Sequence, residues 1–218
     1  MPLAMFDLDN TLIAGDSDYS WGEFLTTKKI VDPVHFKKKN DQFYRDYQKG
    51  SLDILAYLEF SLAPLVNLTR SDLDGLHEEF MEKIIQPMWL PKADELIKRH
   101  IHQQDTMVMI TSTNRFVVEP ICKKLGIKHL IATELEESNN KFTGKVSGIP
   151  SFGEGKVSRL VDWLDRFGFS LENSTFYSDS INDLPLLQLV DFPVIVDPCP
   201  KLKEVATNFG WEIISLRS

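Results

Sequence analysis

The feature that most constrains the fold is a short apolar run that ends in an acidic or hydroxyl-bearing turn and recurs along the chain. A run of this kind is typical of a buried parallel strand that ends at a site. Each run is preceded or followed by a helical pattern, and such alternation indicates a mostly parallel sheet covered on both faces. The runs span residues 2–6, 107–110, 174–177 and 192–196.

One long segment, residues 15–95, interrupts this alternation because it shows helical periodicity and no convincing strand. The sequence therefore predicts an α/β protein whose Rossmann-like, mostly parallel sheet core comprises residues 1–14 and 96–218. An all-helical domain is inserted at residues 15–95, and residues 139–141 are a candidate hairpin turn. Helices are predicted at residues 20–27, 35–49, 52–62, 70–86, 92–102, 116–125 and 156–167.

The charge balance limits the classes of partner. The 218 residues include 24 Lys and Arg against 32 Asp and Glu, a formal net charge of −8. An acidic surface argues against general nucleic-acid binding, but a local pocket can still attract a small phosphorylated metabolite. No apolar run reaches the ~18 residues that a membrane span needs, and the first residues do not resemble an export signal. We therefore expect a cytoplasmic protein without a membrane partner.

The strongest local signal is a pair of carboxylates, Asp7 and Asp9, directly after the first apolar run. If the strand ends at Asp7 and the chain then turns, both groups can reach one point. Crowded carboxylates repel each other, so such a place favours a bound cation or a shared proton. The alternative interpretation is an ordinary aspartate at a turn or at the start of a helix.

A second acidic cluster, Asp179 to Asp183, follows the third run and includes Asn182. Asp179 and Asp183 are four residues apart, so on a helical turn they share a face. Oxygen ligands of this kind suit a hard cation such as Mg²⁺. A helix N-cap followed by an acidic residue would give the same pattern.

Two further segments can hold a phosphate. Thr111 and Ser112 follow the second run, and a hydroxyl with free backbone N–H groups at a helix start forms an anion site. Residues 153–156 partly match a nucleotide-binding P-loop. The match fails because Pro150 stands where that motif has its first glycine and Val157 stands where it has Ser or Thr. What remains is Lys156 at the start of a helix, where it can hold a phosphate as a point charge. Plain N-capping and a solvent-exposed lysine are the alternatives.

The order of these four signals resembles the haloacid dehalogenase superfamily, and the resemblance covers nearly the whole chain. The helical insert resembles that family's type 1 cap. The Gly-Glu-Gly-Lys stretch ending at Lys156 and the Asn182-Asp183 pair resemble the phosphoserine-phosphatase branch, subfamily IB. This resemblance implies a phosphatase of small phosphomonoesters. It implies Asp7 as the nucleophile, forming an aspartyl-phosphate, and Asp9 as the group that protonates the leaving alkoxide and then activates water.

The resemblance also implies a ligand set. Mg²⁺ is expected on the Asp7 carboxylate, the Asp9 backbone carbonyl and Asp179, with Asp183 nearby. The phosphoryl oxygens are expected on a second set, of which Asn182 is the weaker member: Thr111, the Ser112 N–H, Lys156 and Asn182.

The cap is expected to choose the substrate. In the phosphoserine branch an acidic residue and a cap arginine hold the amino acid. Asp16 stands at about the position of the acidic residue, where it meets a substrate amine or simply caps a helix. The arginine has no clear counterpart, since the cap contains only Arg45 and Arg70. This departure favours an amine-bearing substrate without a carboxylate, such as histidinol phosphate, over phosphoserine. A phosphotransferase and a non-catalytic phospholigand-binding module are the competing interpretations.

Overall fold

The computed structural model describes residues 2–217. Within these residues, eight strands form two sheets, and the larger is a six-stranded parallel sheet in the order β3-β2-β1-β6-β7-β8. The smaller is an antiparallel hairpin of β4 and β5. The strands are β1 Leu3–Phe6, β2 Thr106–Asn114, β3 His129–Thr133, β4 Leu135–Ser138, β5 Lys141–Val146, β6 Thr175–Ser178, β7 Phe192–Val196 and β8 Glu212–Ile214.

The seven predicted helices are all found among the described residues, whereas the helices at Leu184–Leu187 and Pro200–Phe209 are not predicted. The predicted helix at residues 70–86 is too long, because α4 ends at Phe80 and gives way to a π turn and a 3₁₀ turn. The helices are α1 Ser17–Thr27, α2 His35–Lys49, α3 Ile54–Leu62, α4 Arg70–Phe80, α5 Pro91–Gln103, α6 Arg115–Lys124, α7 Glu154–Phe167, α8 Leu184–Leu187 and α9 Pro200–Phe209. Within residues 2–217, each helix is too short or too polar to cross a membrane.

Strand β1 is buried on both faces, which is why its sequence is continuously apolar. Ala4 and Phe6 pack into the hydrophobic cluster that also contains residues of α1, α5 and α6. Leu3 and Met5 face the opposite cluster, formed with α7, α8 and α9. The predicted α/β fold with a mostly parallel sheet covered on both faces is therefore confirmed.

Between β1 and β2 the chain is helical, as predicted, apart from isolated bridges at Ile13. The outgoing and returning segments lie side by side there, since the Ala14 N–H donates to the Met88 carbonyl at 2.8 Å. Side chains of α1 and α3 belong to the same hydrophobic cluster as Ala4 and Phe6. The division into a core and a cap at residues 15–95 stays a prediction.

The hairpin turn at residues 139–141 is confirmed. Asn139 and Asn140 have φ of 49° and 60°, the left-handed conformation that a tight hairpin requires and that asparagine tolerates. They join β4 to β5, which pair antiparallel.

Candidate active site

Three strand ends meet at the centre of the sheet. β1 pairs with β2 on one side and with β6 on the other, so the residues that follow them converge at one edge. Asp7 is anchored at this edge by its own N–H, which donates to the Tyr177 carbonyl at 2.9 Å. In parallel sheets, ligands bind where neighbouring strands lead the chain in opposite directions, and β1 is such a place.

Lys156 is fully buried beneath this edge and ties two carboxylates together. Its Nζ lies 2.8 Å from Asp7 Oδ1 and 2.7 Å from Asp183 Oδ1. Asp183 also accepts a hydrogen bond from the Ser178 hydroxyl at 2.7 Å. Burial lowers the pKa of Lys156, but the charges of Asp183 and Asp7 outweigh that effect, and the pKa rises. The lysine is therefore a fixed ammonium, and the solvent-exposed alternative is wrong.

Steric constraints explain why glycine stands at two positions just before Lys156. A Cβ on Gly155 would lie 2.0 Å from the Pro150 carbonyl oxygen, a contact that no side chain allows. Gly153, at the N-cap of α7, has φ of 52°. These two positions let the loop turn tightly enough to direct Lys156 inward.

Asp9 is held by two donors from different parts of the chain. The Ser17 N–H donates to its Oδ1 at 2.6 Å, and the Thr113 hydroxyl donates to its Oδ2 at 2.8 Å. Burial and the charge of Asp16 raise the pKa of Asp9 to about 7, although the hydrogen bonds oppose this shift. A carboxyl group whose pKa lies near neutrality can both give and take a proton.

The remaining acidic groups crowd around Asp7. Burial raises the pKa of Asp7 to about 7, with Lys156 opposing and Asp183 and Asp9 adding to the rise. Burial and the charges of Asp7 and Asp183 raise the pKa of Asp179 well above its usual range. The buried carboxyl groups of Asp7, Asp9, Asp179 and Asp183 are thus accompanied by the buried ammonium of Lys156. The acidic groups of the site therefore outnumber the positive charge beside them.

Two observations test whether this donor set fits a metal. Asp7 Oδ2 is buried without a hydrogen-bond partner, and Asp179 accepts a long bond of 3.4 Å from the Thr11 hydroxyl. Among residues 2–217, no three acidic, histidine or cysteine side chains form a ready-made metal cluster, and Lys156 lies between Asp7 and Asp183. The Asp7 and Asp179 carboxylates and the Asp9 backbone carbonyl still provide the hard oxygen ligands that Mg²⁺ prefers.

A cavity lies over Asp7, between the strand ends and α1 to α3. Its floor includes Asp7, Asp9 and the β2 residues Thr111, Ser112 and Thr113. Its walls carry two more carboxylates, a set of aromatic rings and, among the lining residues within 2–217, no lysine, arginine or histidine. The wall carboxylates are Asp16 and Asp18, and the rings belong to Tyr19, Phe43, Tyr44, Tyr47, Tyr57 and Phe152.

The haloacid dehalogenase-like hydrolase family model matches residues 4–188 of the chain. The chain belongs to this family. A histidinol-phosphatase of Neisseria meningitidis serogroup C is 44% identical over 219 residues, covering 99% of each protein. A phosphoserine phosphatase of Mycobacterium tuberculosis is 30% identical over 217 residues, which cover 98% of this chain and 70% of that protein. The family and these relatives identify the chain as a phosphatase.

Solved structures agree with this placement. A protein of unknown function from Bordetella pertussis Tohama I has a TM-score of 0.92 and 41% identity, covering 99% of this chain and 98% of that one. The phospho-aspartyl intermediate analogue of a phosphoserine phosphatase has a TM-score of 0.73 and 19% identity, covering 99% of this chain and 93% of that one. At this identity the second structure shows a shared fold.

The structure brings most of the predicted residues of this phosphatase together. Asp7, Asp9, Asp16, Thr111 and Ser112 line the cavity. Below the cavity floor, Lys156 bridges Asp7 to Asp183, as described above. The roles assigned to all of these residues stay predictions.

The structure places Thr111 and Ser112, and also Asn182, differently from what their local sequence predicts. Thr111 and Ser112 do not open a helix: they lie inside β2, which continues to Asn114, and the Asn114 side chain caps α6 by accepting the Val117 N–H at 3.2 Å. Asn182 donates its amide to the Tyr47 carbonyl at 3.0 Å, which joins the acidic turn to α2.

Asp16 caps a helix, as one of its two interpretations predicts, and its role toward a substrate amine stays a prediction. Its Oδ1 accepts the Tyr19 N–H at 2.8 Å and so caps α1, while the residue also lines the cavity. Burial raises its pKa to about 7.

Sequence analysis missed three residues of this site. Thr113 directly follows the predicted phosphate-binding residues Thr111 and Ser112 but has no predicted role, because its contact with Asp9 joins positions far apart in the chain. Asp18 offered a signal, since it is a second carboxylate in the same helical turn as Asp16. Tyr57 gave none, because an aromatic residue at helical spacing is usually a packing residue.

Proposed function

We propose that this phosphatase hydrolyses a small phosphomonoester that carries an amine and no carboxylate, with histidinol phosphate as the best-fitting substrate. The observation that carries this proposal is the charge of the cavity. Asp16 and Asp18 face the space next to Asp7, and no basic side chain accompanies them among the lining residues of the described chain. The relative from Neisseria meningitidis, named a histidinol-phosphatase, supports the same substrate.

The carboxylate of Asp7 attacks phosphorus, forming an aspartyl-phosphate as the ester P–O bond breaks. Asp9 gives its proton to the departing alkoxide, and the alcohol leaves. Asp9, now a carboxylate, takes a proton from the water that attacks the phosphorus of the intermediate, which releases phosphate and restores Asp7. The pKa of Asp9, raised by burial to about 7, suits both steps.

Mg²⁺ is the cofactor that this donor set fits. The unpartnered Asp7 Oδ2, the Asp9 carbonyl and the Asp179 carboxylate would hold it, with Asp183 nearby. When bound, it offsets the repulsion between the phosphate dianion and the carboxylates and stabilises the charge on the transferring group.

The phosphoryl oxygens lie toward Thr111, the Ser112 N–H and Lys156. Lys156 neutralises charge at Asp7 from below, and Asp183 positions it through the second ion pair. Asn182 contributes less directly, because its amide is engaged by the Tyr47 carbonyl.

The acidic wall favours histidinol phosphate over phosphoserine. An ammonium group beside Asp16 gains an opposite charge in a half-buried place, where charges are weakly screened. The carboxylate of phosphoserine would instead face Asp16 and Asp18 without a cationic partner. Like charges in such a place cost binding free energy.

The test is phosphate release from histidinol phosphate, phosphoserine, a sugar phosphate and a nucleotide, with Mg²⁺ and with Asp7→Asn as the blank. We expect kcat/KM for histidinol phosphate to exceed that for phosphoserine by at least about tenfold, or ~1.4 kcal/mol. Chelation should stop release, and added Mg²⁺ should restore it. A preference for phosphoserine contradicts the substrate. Release that matches the blank for every compound contradicts hydrolysis and favours a phosphotransferase or a binding module.

Replacing Thr113 with valine should slow turnover with little change in KM. The variant keeps the shape of the side chain but removes the hydroxyl that donates to Asp9 Oδ2 at 2.8 Å. A hydrogen bond to a charged group is worth ~1.5–3 kcal/mol, so kcat should fall by about 10- to 100-fold. Thr113→Ser is the matched control, because it keeps the donor and should stay within about threefold of the wild type. A kcat for Thr113→Val within twofold of the wild type would show that Asp9 needs no such support.

A further inference from the structure

A wall of the cavity holds a carboxylate that neither the fold nor the chemistry at Asp7 explains. Asp18 lies in the first turn of α1, yet the N-cap of that helix is already provided by Asp16. Tyr57 comes from α3, and burial together with the charge of Asp18 raises the pKa of its hydroxyl well above the usual range. Both residues are half-buried and line the cavity.

Asp16 and Asp18 lack a cationic partner. No lysine, arginine or histidine within residues 2–217 forms an ion pair with either carboxylate, whereas the similarly half-buried Glu23 and Asp41 both pair with Lys37. Half-buried carboxylates without a cation are costly, since burial penalises the charged form. The cavity is therefore incomplete without a ligand that brings positive charge.

The surroundings of Asp18 suit a flat ring more than a simple alkylammonium. Phe43 packs edge-to-face on Tyr57, with ring centroids 5.4 Å apart and planes at 68°. Tyr44 and Tyr47 of α2 complete the aromatic wall. An aromatic ring with an N–H group gains from stacking and from donating to a carboxylate, and a charged ring gains further from the ring faces.

The cavity offers two carboxylates beyond those at its floor. Asp16 and Asp18 both line it, and the aromatic wall lines it with them. In histidinol phosphate the amine is on the carbon next to the phosphorylated CH₂ group, and the imidazole ring is one carbon further away. The cavity thus provides one wall carboxylate for each nitrogen-bearing group of the substrate.

We infer that Asp18 and Tyr57 form the specificity-determining position of this enzyme, which takes the imidazole N–H of the substrate while Asp16 takes the amine. This inference rests on the proposed function and extends it from an amine-bearing substrate to one with two nitrogen-bearing groups. A compound that has only an amine binds at Asp16 and leaves the charge of Asp18 without a partner.

The experiment compares kcat/KM for histidinol phosphate and for O-phosphoethanolamine, which has the amine and the phosphate but no ring. Asp18→Asn should lower kcat/KM for histidinol phosphate by about 30- to 100-fold, mainly through KM, and that for O-phosphoethanolamine by less than about threefold. Tyr57→Phe should lower the former by about threefold to tenfold. Asp16→Asn should lower both. Asp74→Asn removes an exposed carboxylate on α4 and should change neither.

Equal losses for both compounds in Asp18→Asn would overturn the inference, since they would make Asp18 a structural residue. Direct binding of histidinol, measured by calorimetry, separates this failure from failure of the proposed function. If the wild type hydrolyses other phosphomonoesters but not histidinol phosphate, the proposed function fails. Histidinol binding that is weakened by Asp18→Asn still supports the inference, and no histidinol binding to the wild type overturns it.

Discussion

Asp7→Asn will abolish phosphatase activity and leave the fold intact. The asparagine amide cannot attack phosphorus, and loss of a covalent nucleophile lowers kcat by at least about 10⁴-fold. The site tolerates the change because Asp7 is one of four buried carboxylates, and its removal relieves repulsion with Asp183 and Asp9. Lys156 keeps its ion pair with Asp183 at 2.7 Å.

The stability of the Asp7→Asn variant should depend on pH in a set direction. Burial raises the pKa of Asp7 from 3.8 to about 7, so ionisation of this group opposes folding of the metal-free wild type. The wild type pays this penalty increasingly as the pH rises from about 4 to 7, and the asparagine variant does not. We therefore expect the variant to gain stability relative to the wild type across that interval, as followed by denaturant unfolding in the presence of a chelator.

The measurement of activity pairs phosphate release with mass spectrometry of the rapidly quenched enzyme. The wild type should gain the mass of one phosphoryl group during turnover, and Asp7→Asn should not. Asp165→Asn on the exposed face of α7 is the matched control, since it removes one carboxylate far from the cavity. Turnover by Asp7→Asn near the wild-type rate would exclude Asp7 as the nucleophile.

The sequence predicted the central part of the fold because that part has strong periodicity. β1, β2, β6 and β7 each overlap one of the four apolar runs, and the long helices have regular apolar faces and recognisable caps such as Thr69. The edge strand β3 was missed, since it begins with His129 and follows α6 after a short turn. β8 has only three residues, too few for a period to emerge.

The residues of the candidate site likewise fall into a group that the sequence predicts and a group that it does not. Asp7, Asp9, Lys156 and Asp179 stand next to strand ends or a glycine turn, where local sequence carries the signal. The cavity wall depends instead on how three helices pack. Nothing local places Tyr57 and Asp18 in one cavity, because they lie on different helices that the tertiary fold brings together. Substrate recognition was therefore less predictable than the reacting groups.

Lys156→Met will remove activity and also destabilise the protein. Lys156 is fully buried, and its Nζ lies 2.8 Å from Asp7 Oδ1 and 2.7 Å from Asp183 Oδ1. Breaking a buried ion pair by removing one partner costs ~3–5 kcal/mol, because the other charge is left uncompensated. In a protein of this size, that loss lowers Tm by about 10 °C. The same loss of positive charge beside the transferring phosphoryl group should lower kcat by at least about 10³-fold.

A double variant separates the two effects. Lys156→Met with Asp183→Asn removes one of the two stranded carboxylates, so it should recover a large part of the lost stability and none of the activity. The penalty in the single variant should also shrink as the pH falls from 7 toward 5, because Asp7 then takes up a proton and no longer needs a cation. Calorimetric unfolding at the two pH values, beside phosphate release, tests both points. If the double variant regained activity, Lys156 would act through the fold alone; if the single variant kept wild-type stability at pH 7, the buried ammonium would not be what allows these carboxylates to lie together.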